Sequence, residues 1–360
     1  MKKDLCLLKA DSEITYTFFD AAGGDAIWIR YFGDDSHWHN ILIDGGFPWS
    51  YKSGFAVVLD QLLKAGESVD LWVISHVDSD HIGAVMGFIE DPDFKDKSQL
   101  VKEYWFNHNK FPVPPAGRKL GFKQGKNLRD YLSGTGKLPL EKITIGIADR
   151  NIYGLNFTVL SPTDEKLVAS QKDWTNRENK KLGRGVDQAD HKKKISELIS
   201  GKFSEDDDIA NGSSISFIAR YKDNRAILLA DSHPTDIINS LTDPEIVPDK
   251  SSSYSFLKVA HHGSKKNTNI QVLSLIDTNV YVISANGETN RHPDKETLVR
   301  IITRETRTVD QIELVFISDT PAVRNMFAPD DDPYSKYNFK TTFLEDGKNY
   351  YQLSFYPIKD

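Results

Sequence analysis

The chain has 360 residues, 39% hydrophobic and 27% charged, with a formal net charge of −7. That length allows a large buried core, and the composition is that of a soluble globular protein without a membrane-spanning run. The acidic balance excludes a protein that coats nucleic acid non-specifically, and the single cysteine, Cys6, excludes an internal disulfide and multi-cysteine zinc sites.

The first fifteen residues, MKKDLCLLKADSEIT, hold only a short apolar stretch broken by charge, so no secretory signal is read there and a reducing, cytoplasmic setting is expected. EITYTFFD and AIWIRYF read as strands parted by AAGGD, and HNILIDGG reads as a third. GFAVVLDQLLKAG reads as a helix stopped by Gly66. VDLWVIS is a buried strand and HIGAVMGFIE the helix after it, an alternation that predicts a layered α/β domain. Residues 91–140 are more polar, and residues 110–129 contain Lys110, Arg118, Lys119, Lys123, Lys126 and Arg129 and no acid. This stretch reads either as a solvated loop or as a lid that meets an anionic substrate.

ITIGIA, IYGLNFTVLSP and SSISFIARYKDNRAILLAD restore the strand pattern, the last as a hairpin. Residues 164–208 are highly charged and read as helix plus a mobile linker, SEDDDIANG. LKVAHHGS, NVYVISAN, a helix near 294–304 and QIELVFIS follow, and the tail FKTTFLEDGKNYYQLSFYPI reads as a hairpin turning at Asp346-Gly347. The expected organisation is one domain over 1–360, with insertions or lid segments at 91–140 and 164–208 and a strand-and-hairpin extension at 306–360.

Within SHVDSDHIGA, residues 75–84, lie His76, Asp78, Asp80 and His81. Imidazole and carboxylate are the ligands of borderline divalent metals. On an extended loop His76 and Asp78 point the same way, while Asp80 and His81 at a helix start reach a neighbouring centre. The competing reading is a helix cap made by Asp78 or Asp80. Further polar residues sit at strand ends: Asp44 closes ILID, Asp231 closes AILLAD, and His261 and His262 close LKVA. A carboxylate past four apolar residues is costly to bury unpaired, and two cations would satisfy it.

Taken in order, DAAGGDAIWIR, ILIDGG, ISHVDSDHIGA, NGSSISFIARY, AILLAD, LKVAHHGS and VISANGETNRHP resemble the metallo-β-lactamase-fold hydrolases, in the branch of the soluble C-terminal domain of the ComEC DNA-uptake proteins. The resemblance spans about residues 15–305 apart from the polar insertions. It implies a four-layer αββα sandwich with a two-metal site on one edge, carrying zinc or, alternatively, manganese. It implies that Asp80, His81, Asp231 and His261 hold one metal, and that His76, Asp78 and a shared Asp231 hold the other. The third histidine usual for that second set has no counterpart; Asn211, Ser213 and Ser214 stand in its place. His191 could compensate from the insertion but reads more simply as a surface residue, and His233 reads either as a further ligand or as a loop residue.

Asp44 and Asp25 are expected to orient ligands rather than bind metal. His262, Ser264, Lys265, Asn211 and Ser214 are expected to meet substrate. The implied chemistry is attack by a metal-bound hydroxide, with Asp80 or Asp78 orienting the water and His292 contacting a phosphoryl oxygen or protonating the leaving group. The expected activity is a phosphodiesterase or nuclease acting on nucleic acid or a nucleotide, with Tyr104, Trp105, Phe106 and Phe111 as candidate base-stacking groups and with a companion protein as partner. The alternatives are hydrolysis of another ester (a choline-phosphate ester, a lactone or a thioester) and a non-catalytic binding relative with a partly filled metal site.

Overall fold

The computed structural model describes residues 8, 12–108, 120–177, 190–249, 253–308 and 310–356. Cys6, Lys110, Phe111, Arg118 and Lys119 lie outside these. Fourteen strands are described: β1 Ile14–Phe19, β2 Ala26–Phe32, β3 Trp38–Asp44, β4 Val69–Ile74, β5 Val101–Phe106, β6 Arg150–Ile152, β7 Leu155–Ser161, β8 Ser216–Tyr221, β9 Asn224–Leu228, β10 Phe256–Lys258, β11 Val280–Ile283, β12 Ile312–Phe316, β13 Phe339–Thr342 and β14 Tyr350–Phe355. They form a six-stranded sheet, β14-β1-β2-β3-β4-β5, and an eight-stranded sheet, β13-β12-β11-β10-β9-β8-β7-β6. Within β3-β4-β5 and within β9 to β13 adjacent strands pair parallel, while β3 pairs antiparallel with β2 and β9 with β8.

Three buried clusters define the layers. Alternate residues of both sheets, among them Tyr16, Ile29, Ile41, Val73, Phe157, Phe217 and Phe256, meet face to face between the sheets. The other face of the first sheet, with Trp28, Leu42 and Trp72, is covered by Val58, Leu62, Val85 and Phe88 from the helices Phe55–Ala65 and Ser79–Glu90. Leu257, Tyr281 and Leu314 of the second sheet lie under Leu298 and Ile301 of the helix Lys295–Thr303. This is the expected order helix, sheet, sheet, helix. Central strands buried on both faces explain the near-continuous apolar runs of the sequence. Gly66 ends the helix Phe55–Ala65 at φ 71°, a left-handed cap that glycine adopts without strain. Among the described residues no helix is long and apolar enough to cross a membrane.

Several local expectations are corrected. ITIGIA is not a strand. The Asn107 side chain takes the backbone hydrogen bonds of Ile143, and Ile147 N–H donates to Thr144 O across Gly146. The tail is not a hairpin: β13 pairs with β12 and β14 with β1, so the turn at Asp346-Gly347 passes from one sheet to the other. Each sheet edge offered unpaired backbone groups, and edge pairing satisfies both strands. SEDDDIANG is an ordered segment, with Asp206 buried and its N–H donating to Lys266 O. Tyr104, Trp105 and Phe106 are all core residues and present no face to a base. Of the basic stretch, the described part lies on the helix Leu120–Gly134, where Lys126 and Arg129 pair with Asp130.

The helix Ser79–Glu90 is pressed against the loop that follows β3. A Cβ on Gly83 would lie 2.4 Å from Gly46 O and from Pro48 N. Gly83→Ala is therefore expected to lower stability by about 2 kcal/mol. Gly134→Ala, where a Cβ meets nothing within 4 Å, is expected to leave it unchanged or raise it slightly; thermal melts compare the two.

Candidate metal centre

The polar residues gather where parallel strands end. Asp44 ends β3, His76 follows β4, Asp231 follows β9, and His261 and His262 follow β10. Parallel neighbours deliver their C-terminal ends to one edge, which is why open α/β sites form there. The chain leaves these strands abruptly: Asp44, Ala230, His261 and His262 all have positive φ, between 46° and 54°. Such backbone costs on the order of 1–3 kcal/mol per residue outside glycine and persists where the surroundings over-determine it.

Asp231 is the centre of the cluster. It is 2% exposed. Its Oδ1 lies 3.4 Å from His81 Nε2 and 3.5 Å from His262 Nε2. Its Oδ2 lies 3.5 Å from His261 Nε2 and 3.8 Å from His76 Nε2. The two histidines of LKVAHHGS thus divide between the two oxygens. His262, expected on the substrate side, stands with His81 and with Asp80, whose Oδ2 is 3.6 Å from His262 Nε2. His261, expected with Asp80 and His81, stands on the Asp231 oxygen that His76 faces. The backbone turn at 261–262, left-handed at both residues, aims the two rings in different directions.

Each ring is held from behind through Nδ1. His81 Nδ1 lies 2.8 Å from Asp44 Oδ2, and His262 Nδ1 lies 3.0 Å from Ser284 O and 3.4 Å from Asp25 Oδ1. His261 Nδ1 lies 2.9 Å from Asn267 Oδ1. His76 Nδ1 lies 3.1 Å from Ser75 Oγ, whose own proton is donated to Asp44 Oδ2 at 2.7 Å, and 3.2 Å from Ser214 Oγ. Each of these four rings has an acceptor behind it, so each carries its proton on Nδ1 and turns the Nε2 lone pair inward. His81 Nε2 and His262 Nε2 are only 3.2 Å apart. Two lone pairs and a carboxylate oxygen at that separation repel one another unless a proton or a cation lies between them. His76 Nε2 and Asp231 Oδ1 are buried without a hydrogen-bond partner among the described residues. The donor set therefore fits divalent cations.

Without a cation, protons take its place. Burial pulls the His81 imidazole down, but Asp231 and Asp44 outweigh it and leave it well above the usual histidine range. Burial also opposes charge on His261, yet Asp231 and Asp206 push it up to about 9. Burial works to raise the Asp231 carboxyl, and the charges of His261, His81 and His262 hold it well below the usual range. Burial and His81 depress His76.

The remaining residues fall into two groups. Asp78 occupies the position before the helix Ser79–Glu90, but its carboxylate makes no capping bond there, and its charge acts on His76. Asp80 lies in the first turn of that helix. Asp25 Oδ2 pairs with Lys258 Nζ at 2.5 Å, both groups being almost wholly buried. His292 lies 5.1 Å from His261 between ring centroids, with Nδ1 3.5 Å from Asp294 Oδ2. Lys265 N–H donates to the same Asp294 oxygen.

Asn211 and Ser214, expected to meet substrate, lie behind histidines: Asn211 donates to Asp206 at 2.7 Å, and Ser214 backs His76. Ser213 and Ser264 are buried, and Ser213 Oγ turns back onto Ala210 O. His233 faces Asp208 O and Lys166, and His191 donates to Pro293 O; neither meets Asp231 among these contacts. Sequence reasoning missed Lys258, Asp206 and Asn267. Lys258 had one available signal, a lysine inside a strand whose neighbours are all apolar.

Two tests follow from these charges. His261 is raised above its unfolded value, so its contribution to the stability of the cation-free protein is complete below pH 6.5 and is lost as pH climbs through about 9. His81 acts in the same direction, whereas the depressed His76 costs stability only below pH 6.5. Melts of chelator-treated protein should fall between pH 6.5 and 9, and zinc or manganese should flatten the profile. Lys258→Met leaves Asp25 buried without its cation and should cost about 3–5 kcal/mol in denaturant unfolding, with a smaller loss when Asp25→Asn is added.

Residues 24–154 match the Metallo-beta-lactamase superfamily. No curated protein matches the chain. Among solved structures, a mutant of the CmlA beta-hydroxylase is similar at 11% identity and a TM-score of 0.39. CmlA, a diiron beta-hydroxylase from Streptomyces venezuelae, is similar at 10% identity and a TM-score of 0.42. Each match covers 96% of this chain and 55% of the other, so this chain spans about half the length of those proteins. The match over residues 24–154 covers Asp25, the strand that ends on Asp44 and the loop from His76 to His81, and the two layered sheets have the metallo-β-lactamase fold.

Proposed function

We propose that the chain is a metal-dependent hydrolase and that its substrate is a phosphodiester in nucleic acid or a nucleotide. The observation that supports hydrolysis is the convergence of four imidazole Nε2 atoms on the two oxygens of Asp231. Divalent cations at such a site supply Lewis-acid activation of water and neutralise charge that develops on a phosphoryl group. In this reading Asp80, His81, His262 and Asp231 Oδ1 hold one cation. His76, His261 and Asp231 Oδ2, with Asp78, hold the other. Zinc suits this imidazole–carboxylate set, and manganese is the alternative.

The chain's own groups have separate tasks. Asp44, Asp25 and Ser75 hold the rings in one tautomer. Asp80, at the helix start and with its side chain 13% exposed, orients the attacking water. His292, depressed by burial, stands beside His261 as a proton donor to the leaving oxygen or a contact to a phosphoryl oxygen. Phosphodiester specificity is supported by the ComEC-like motifs and by the cationic Lys265, whose backbone N–H donates to Asp294, the partner of His292. Trp49 is 67% exposed and stacks on Phe47 at 4.4 Å, on the loop that leaves Asp44, and suits a base better than the buried Tyr104, Trp105 and Phe106 do. A cytoplasmic setting and a companion protein belong to the same proposal.

Purified protein should carry close to two equivalents of zinc, manganese or iron by elemental analysis. With added zinc or manganese it should cleave bis-p-nitrophenyl phosphate and one or more of single-stranded DNA, double-stranded DNA and RNA, and leave a β-lactam intact. Asp80→Ala and His81→Ala should each reduce turnover by more than about 100-fold. Turnover of the lactam alone would overturn the substrate assignment, and unchanged turnover in both variants would overturn the site.

A further inference from the structure

We propose that Asp206 and Asn267 are positioning residues for His261, and that the inserted segment around Asp206 thereby completes the His76 side of the metal centre. The inference rests on the metal-dependent reading above. His81, His262 and His76 are each backed by groups at strand ends or on the β8 approach: Asp44, Asp25 with Ser284, and Ser75 with Ser214. The carboxylate near His261 comes instead from the polar insertion.

The orientation of Asn267 is determined by its neighbours. Its Nδ2 lies 3.1 Å from Asp206 Oδ2, 3.2 Å from Asp231 O and 3.3 Å from Ser232 O, all of them acceptors. The amide nitrogen must face these three oxygens, so the amide oxygen faces His261 Nδ1 at 2.9 Å. An acceptor at that position requires His261 to carry its proton on Nδ1 and leaves Nε2 open toward Asp231 Oδ2. Asp206 fixes the arrangement. Its Oδ2 accepts from Asn267 and from Asn211 and stands 3.3 Å from His261 Nδ1. Its Oδ1 accepts from Asp208 N–H, and its own N–H donates to Lys266 O. Asp206 is 8% exposed and Asn267 1%.

The backbone is left-handed at His261, and Asn267 and Asp206 meet the Nδ1 side of its ring. The same insertion is anchored a second time. Asp190 accepts from the N–H groups of Lys295 and Glu296, and His191 donates to Pro293 O, beside His292. The segment thus meets the His261 ring through Asp206 and is tied to the backbone next to His292 through His191.

The test uses the full chain and zinc, titrated against a competing chelator. Wild type should bind two cations. Asp206→Asn and Asn267→Ala should each weaken one of the two by about 10- to 100-fold and leave the other unchanged. Asp207→Asn, at an exposed neighbouring position, should change neither. In a His261→Ala background, Asp206→Asn should have no further effect on zinc affinity, an outcome that a merely structural role for Asp206 does not produce. Should one variant fail to fold, the other decides, since both act on the same ring. Two cations bound with wild-type affinity by Asp206→Asn or by Asn267→Ala would overturn this inference alone. A wild-type chain that binds no cation would overturn the functional reading and the inference with it.

Discussion

A single buried carboxylate organises this half of the molecule. Asp231 brings a negative charge into a site that is almost closed to water, and such a charge persists only with positive charge around it. Four imidazoles face its two oxygens, and each is backed by an acceptor that fixes its proton on the far nitrogen. The arrangement concentrates electron pairs at one point. Protons on His81 and His261 are one solution; divalent cations are the other, and the four inward Nε2 atoms suit cations better.

The fold makes that concentration possible. Asp44 and His76 come from one sheet, and Asp231, His261 and His262 from the other. Parallel pairing of β3 with β4, and of β9 with β10, brings the ends of all these strands to one edge of the sandwich. The turns out of the strands are left-handed at Asp44, Ala230, His261 and His262, a local cost offset by the core clusters on either side. The buried pair Lys258–Asp25 ties the sheets together directly beneath His262, since Asp25 precedes β2 and Lys258 ends β10.

Much of this was legible from residue order. Strand after strand carried its polar residue at the C-terminal end, and HIGAVMGFIE began where a helix start would aim Asp80 and His81 at a neighbour. The errors share a cause. ITIGIA has strand alternation, but its partner is the Asn107 side chain. The tail has a hairpin turn, but two free sheet edges competed for its strands. SEDDDIANG has the composition of a linker, yet Asp206 is held by Asn211, Asn267 and the backbone of Lys266. In each case a partner remote in sequence outweighed the local pattern. The expected grouping of His261 with Asp80 and His81 was wrong for the same reason: adjacent residues in a left-handed turn diverge, and it is His262 that meets Asp80 and the Asp231 oxygen facing His81.

The sequence by itself determined the layered α/β class, the strands of the core and the residue types able to hold a cation, because hydrophobic period and polar strand ends are local properties. Only the tertiary structure decided how those residues are shared: which histidine faces which oxygen of Asp231, that Asp78 does not cap its helix, that Lys258 is the buried partner of Asp25, and that an apparent linker supplies Asp206. Those outcomes depend on distances across two sheets and the segment that carries Asp206, and they follow from the need to pair every buried charge, which acts only once the chain has folded.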